Sequence, residues 1–268
     1  MYEEAAEGER ASLADPILGV AGQDAGPTPT AIAPAPSPIA PRATALLEVI
    51  LCSGYPTQLM LVVLLTRLGM HIRTASGTLT PSFIFVLSLL DAVLVIALIF
   101  LFIKARGEGI RRVLLGDRSV IREGLLGVML VPMVFLAVVL LLGIVLTFVP
   151  RLHNVPHNPL EAMVQTPRDA IIFTIVVMIA GGVREEVQRG FIVHRFDQYL
   201  GGAHMGVAAY SIAFGFGHVE QGWDAALATG LLGVIWGSIY VVRRSIVAPM
   251  VSHAGFNLLQ LIKFVSLR

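Results

Sequence analysis

Three short polar clusters interrupt otherwise apolar stretches of the chain: Arg184-Glu185-Glu186-Val187-Gln188-Arg189, Phe214-Gly-Phe-Gly-His218 and His253-Ala-Gly-Phe-Asn257. Each lies in or at the end of a segment greasy enough for a bilayer. A charged side chain at bilayer depth costs roughly 2.5–3.5 kcal/mol on insertion scales, so such residues need a purpose. Glu185, Glu186, His218, His253 and Asn257 supply two carboxylates, two imidazoles and an amide. Those are the groups that activate a water and stabilise an oxyanion, which points to hydrolysis inside a membrane. Each cluster also has a plainer explanation. Glu185-Glu186 could be an interfacial acidic pair with Arg184 and Arg189 as charge partners, and a lone histidine is commonly a packing residue.

The elements that must position these residues are helices, and the composition says where they sit. The chain has 268 residues, of which 56% are hydrophobic and 14% charged, against about 25% charged in soluble domains. An all-α, polytopic membrane protein is expected. A net charge of +1 excludes the concentrated basic face of a nucleic-acid binder. The single cysteine, Cys52, can form no internal disulfide and reads as a small buried residue. Residues 1–43 read as a disordered tail, acidic up to Asp15 and then Pro/Ala-rich, without the basic n-region of a signal peptide.

Spans of about 20 apolar residues are expected for a hydrocarbon core near 30 Å. The candidates are 44–66, 82–103, 124–149, 168–198, 203–219, 224–242 and 246–263, about seven in all. Residues 44–164 form an N-terminal membrane region, and 165–268 form the part that carries the three clusters. The fourth candidate is too long for one straight crossing, and Gly181-Gly182 marks a bend or break. Arg10, Arg42, Lys104, Arg106, Arg111, Arg112, Arg118, Arg122, Arg195, Arg243 and Arg244 fall on one side, eleven against six on the other. That bias places the N-terminus in the cytoplasm. Asp91 and Glu48 inside spans read as interhelical or interfacial acids, and His153 and His157 as part of a solvated loop rather than a metal clip.

Counting along helices suggests that the clusters meet. Glu185 lies 16 residues before Gly201 and His218 lies 17 after it, so both stand about 25 Å from the turn at Leu200-Gly201-Gly202. His253 and Asn257 share a helix face at i and i+4. They lie 9 and 13 residues beyond Arg244, a rise of about 14 and 20 Å from the same side. Gly215, Gly217 and the Gly233-Val-Ile-Trp-Gly237 motif permit close helix approach, read as packing within the chain.

The sequence contains no His-Glu-x-x-His, Gly-x-Gly-Asp or Gly-x-Ser-Gly, which removes three other kinds of intramembrane protease. What remains, Glu185-Glu186…Arg189, Phe214-x-x-x-His218 and His253-x-x-x-Asn257 after Ala248-Pro249-Met250-Val251-Ser252, resembles the CPBP group over about residues 165–262. That group comprises CAAX-type prenyl endopeptidases of the Rce1 kind, Abi proteins and bacteriocin-processing or self-immunity proteins. The resemblance implies an intramembrane endopeptidase acting on a membrane-anchored, CAAX-type protein or peptide. Glu185 and His218 would activate water, His253 and Asn257 would form the oxyanion hole, and Glu186 and Arg189 would set charge and orientation. It also implies that no metal is required; the alternative is zinc on Glu185, His218 and His253 with one open position. One departure stands out. The family has three residues between Glu-Glu and Arg, and here there are only Val187 and Gln188. Either the arginine has shifted or the helix is locally adjusted beside Gly181-Gly182, and which glutamate Arg189 pairs with is open. A non-catalytic immunity factor, scaffold or transporter would use the same buried groups.

Overall fold

The computed structural model describes residues 39–156, 158–160, 163–164 and 166–266, with side chains between 41 and 263. Among them the regular secondary structure is helical apart from one isolated bridge, Arg73 to Leu79. The helices are α1 (Ile39–Leu51), α2 (Tyr55–Arg67), α3 (Pro81–Ala105), α4 (Ile110–Leu114) and α5 (Val120–Phe148). Then come α6 (Pro167–Val177), α7 (Glu185–Tyr199), α8 (Ala203–Phe216), α9 (Trp223–Arg243) and α10 (Val247–Ser266). Local chemistry sets several starts. Pro81 opens α3, where the missing N–H costs nothing. Thr166 and Asp169 cap α6 reciprocally, with Pro167 in the first turn. Helix α1 begins at Ile39, within the expected tail, because Pro41 falls in a first turn that needs no amide donors. The rest of that tail, and His157, lie outside the described residues.

Among the described residues α3, α5 and α9 are long and apolar enough to cross a membrane, or four spans if the α1–α2 pair, bent by 43°, is one broken crossing. These helices do not confirm the expectation of about seven spans. Helix α8 has 14 residues, only about 21 Å of the roughly 30 Å needed. Helix α7 carries Glu185, Glu186, Gln188, Arg189 and Arg195, and it is wrapped by protein rather than by lipid: residues 186–193 are all buried. The lipid-like surface lies elsewhere. Val93 on α3, and Ile121, Leu125, Met129 and Met133 on α5, are among many exposed large apolar side chains, a surface that water would not tolerate over such an area.

Helix α7 is the hub. Its Val187, Phe191 and Val193 join Val95, Ile99 and Ile103 of α3, Val207 and Tyr210 of α8 and Tyr240 of α9 in one apolar cluster. A second cluster, Val134, Val138, Leu232, Trp236 and Phe256, ties α5, α9 and α10 together. Buried acids then join the elements in pairs. Glu48 of α1 accepts from Arg106 at 2.7 Å and from Arg195 of α7 at 2.5 Å. Asp91 of α3 accepts from Arg184 and from Thr57, each at 2.5 Å. Both acids are thus interhelical. Glu108, in the connection after α3, bonds His194 and Arg195. Burial alone would raise its carboxyl, but those partners hold it below the usual carboxylate range.

Helices α8 and α9 cross closely at the expected glycine motif. A Cβ on Gly233 would sit 2.9 Å from Ser211 Cα and 3.0 Å from Ser211 Cβ, so the motif packs within the chain. Gly233→Leu should push α8 and α9 apart and lower stability by about 1–3 kcal/mol, as overpacking does. A lowered thermal midpoint in detergent is the expected result; a wild-type midpoint would show that the crossing is not this tight.

Candidate active site

The site begins at an irregularity. Between α6 and α7, residues Met178–Arg184 form a π-helical run, in which i→i+5 bonds rotate α7 relative to a continuous α-helix. The local adjustment expected beside Gly181-Gly182 is found there. Gly181 also admits α10: a Cβ on it would lie 2.8 Å from Asn257 Nδ2 and 3.9 Å from His253 Nε2. The π-run therefore brings Glu185 and Glu186 to the face of α10 that bears His253 and Asn257.

Glu186 is the junction. Its Oε1 accepts from His253 Nδ1 at 2.8 Å and from Arg189 Nη1, which answers the open pairing question in favour of Glu186. Both partners of that ion pair are essentially inaccessible, Glu186 at 1% and Arg189 at 0% exposure. With a guanidinium on the same carboxylate, Glu186 acts as acceptor, so His253 donates from Nδ1 and turns Nε2 toward Glu185, whose Oε2 is 3.7 Å away. Glu185 is the more open of the two acids, with 18% of its side chain exposed. Arg184, once a candidate partner for the glutamates, pairs with Asp91 instead.

The buried guanidinium has little else polar around it. Among the described residues Arg189 Nε and Nη2 have no hydrogen-bond partner. They are enclosed by the rings of Tyr210, Phe214 and Trp236, whose centroids lie 4.9, 5.0 and 5.4 Å from Cζ. Cation–π attraction in a desolvated site offsets part of the missing hydrogen bonding. Tyr210 also supports the acids' backbone: its hydroxyl donates to Glu185 O at 3.2 Å. Gln188 reaches across to Cys52 O at 2.6 Å, which anchors α7 to the α1–α2 break.

The second cluster is placed differently from expectation. The span expected over 203–219 ends at Phe216, and His218 sits half-buried in the turn beyond α8. Its Nδ1 donates to Phe214 O at 2.8 Å, which leaves Nε2 as an acceptor. Among the described residues His218 has no hydrogen bond to Glu185; Phe214 links it to the rest, edge-on to His218 at 5.0 Å and to His253 at 6.3 Å. Asn257 is half-buried beside Gly181, and its amide makes no hydrogen bond among the described residues. Glu185, Glu186, Arg189 and His253 thus come together directly, Asn257 lies against Gly181, and His218 joins through an aromatic ring. Trp236, Tyr210 and Gln188 were not singled out by the sequence; Trp236 was visible only as a letter inside the glycine motif. His153, expected in a solvated loop, bonds Asp224 at 2.7 Å.

Among the described residues no three His, Cys, Asp or Glu side chains are grouped to hold an ion.

Residues 167–259 match the family model described as type II CAAX prenyl endopeptidase Rce1-like. No curated protein and no solved structure matches the chain significantly. The match covers all three clusters and the helices that carry them.

The two glutamates should separate cleanly in a stability measurement. Arg189→Ala strands a buried carboxylate and should cost about 3–5 kcal/mol. Glu185→Gln removes no ion pair to Arg189 and should leave the thermal midpoint near wild type. Equal destabilisation by both would contradict the assignment of Glu186 as the buried junction.

Proposed function

We propose that the segment matching the Rce1-like family is an intramembrane endopeptidase that hydrolyses a peptide bond near the C-terminus of a membrane-anchored, CAAX-type prenylated protein. The observation that carries this reading is the chain Arg189–Glu186–His253, with Glu185 3.7 Å from the free edge of the imidazole. It supplies a more open carboxylate for a water and, beside it, an imidazole held by a buried pair.

In this reading Glu185 is the general base. It takes a proton from a water oriented by Nε2 of His218, whose other nitrogen is occupied by Phe214 O. The water oxygen bonds to the scissile carbonyl carbon, and the carbonyl electron pair moves onto oxygen. His253 Nε2 and Asn257 Nδ2 face that oxyanion. To donate there while Nδ1 donates to Glu186, His253 carries both ring protons, and two flanking carboxylates compensate that charge. Glu185 then returns its proton to the leaving amine as the C–N bond breaks. Glu186 and Arg189 are positioning residues. No step in this reading requires a metal.

The cation-rich end is proposed to face the cytoplasm, with the N-terminus on that side. Supporting this, the loops counted there meet: Arg118 donates to Arg243 O at 2.9 Å and Arg244 pairs with Asp197 at 2.7 Å.

Proteoliposomes containing the wild-type protein should cleave a prenylated CAAX peptide, measured by mass spectrometry. Glu185→Ala and His218→Ala should each lose about 10²–10⁴-fold, and His253→Ala and Asn257→Ala about 10²–10³-fold. A chelator should leave the wild-type rate unchanged. Undiminished function of both Glu185→Ala and His218→Ala in cells would refute catalysis and favour an immunity, scaffold or transport role. Loss of activity together with stoichiometric zinc would refute the metal-free mechanism.

A further inference from the structure

Building on the proposed hydrolysis, we infer that Trp236 is the residue that positions His253. A single hydrogen bond from Nδ1 to Glu186 fixes one point of the imidazole and leaves the ring free to swing about it. The oxyanion role requires a fixed direction at Nε2, since a misplacement of about 1 Å can cost 10²-fold in rate. Something must therefore hold the ring by its face.

Trp236 does so from α9. Its ring lies 4.0 Å from the His253 ring, centroid to centroid, at an interplanar angle of 19°. The indole is itself immobilised: it is fully buried, and its N–H donates to Ser252 Oγ at 3.1 Å. Ser252 immediately precedes His253, so α9 is pinned to the turn of α10 that carries the imidazole. Phe256 meets the indole edge-to-face at 6.2 Å, and Phe214 meets the imidazole at 77°. The ring is thus held on one face by Trp236, near an edge by Phe214 and at Nδ1 by Glu186. Trp236 also forms part of the enclosure around Arg189, so the same side chain faces both groups that bear on Glu186.

Trp236 is also the bulkiest fully buried side chain of the described residues, and plain packing is the competing explanation. Conservative rescue separates the two. Trp236→Phe keeps a flat face and loses the N–H; Trp236→Leu loses the face; Ser252→Ala removes only the anchor. Trp236→Leu should lower kcat by about tenfold or more with KM within about twofold, and Trp236→Phe should recover to within about threefold of wild type. Ser252→Ala should lower kcat a few-fold, with a thermal midpoint lowered less than in Trp236→Leu, since it strands only one buried N–H.

A readout independent of turnover completes the test. In 15N-histidine NMR, the His253 signals, assigned by their loss in His253→Gln, should be one sharp pair of ring-nitrogen resonances in wild type. They should broaden in Trp236→Leu. Equal kcat losses in the Phe and Leu variants, tracking their thermal midpoints, would overturn the inference, as would an unchanged His253 signal in Trp236→Leu. If wild type hydrolyses nothing, the hydrolase reading fails while the NMR comparison still decides the role of Trp236.

Discussion

Everything about this site depends on one buried ion pair, Arg189 with Glu186. Taking two charges out of water costs several kcal/mol per ion, and attraction between them recovers that only when further contacts complete the geometry. Here His253 completes the carboxylate, and three aromatic rings surround the guanidinium. The arrangement fixes the imidazole as a by-product of satisfying the pair. The second glutamate has no such burden, and it is the one left open enough to meet a water.

That division explains why α7 can be polar while lying among membrane-spanning helices. The helices with broad apolar surfaces, α3 and α5, stand outside it, and the acids that reach it from α1 and α3 are each paired with an arginine of α7 or the π-run. The π-run does a related job along the axis. It interrupts the α-helical register just before Glu185 and, with Gly181 lacking a side chain, lets α10 approach within contact of the backbone. The shortened Glu-Glu-to-Arg spacing lies wholly within α7, where Arg189 meets Glu186 at i+3.

Much of this was legible in the sequence. Residue types and helical rise placed Glu185, His218, His253 and Asn257 at comparable depth, and the glycine pair marked the irregular segment. The rest was hidden for physical reasons. Hydropathy counts apolar residues without knowing whether lipid or protein covers them, so it does not tell the buried α7 from a lipid-facing span. The end of α8 moved because the turn at Gly217 stops the helix before His218. Trp236 was hidden because stacking is a tertiary contact: a lone tryptophan in an apolar helix carries no pattern. Arg184 pointed in the wrong direction because its partner, Asp91, lies 93 residues away in the chain.

In the proposed mechanism a water activated by Glu185 opens the peptide, with no covalent bond to the protein. Single-turnover cleavage of a prenylated CAAX peptide in 18O-labelled water decides this. One solvent-derived 18O in the new carboxylate is expected on the first turnover, abolished in Glu185→Gln. An unlabelled first-turnover product, with 18O appearing in the Glu185 carboxylate instead, would contradict it.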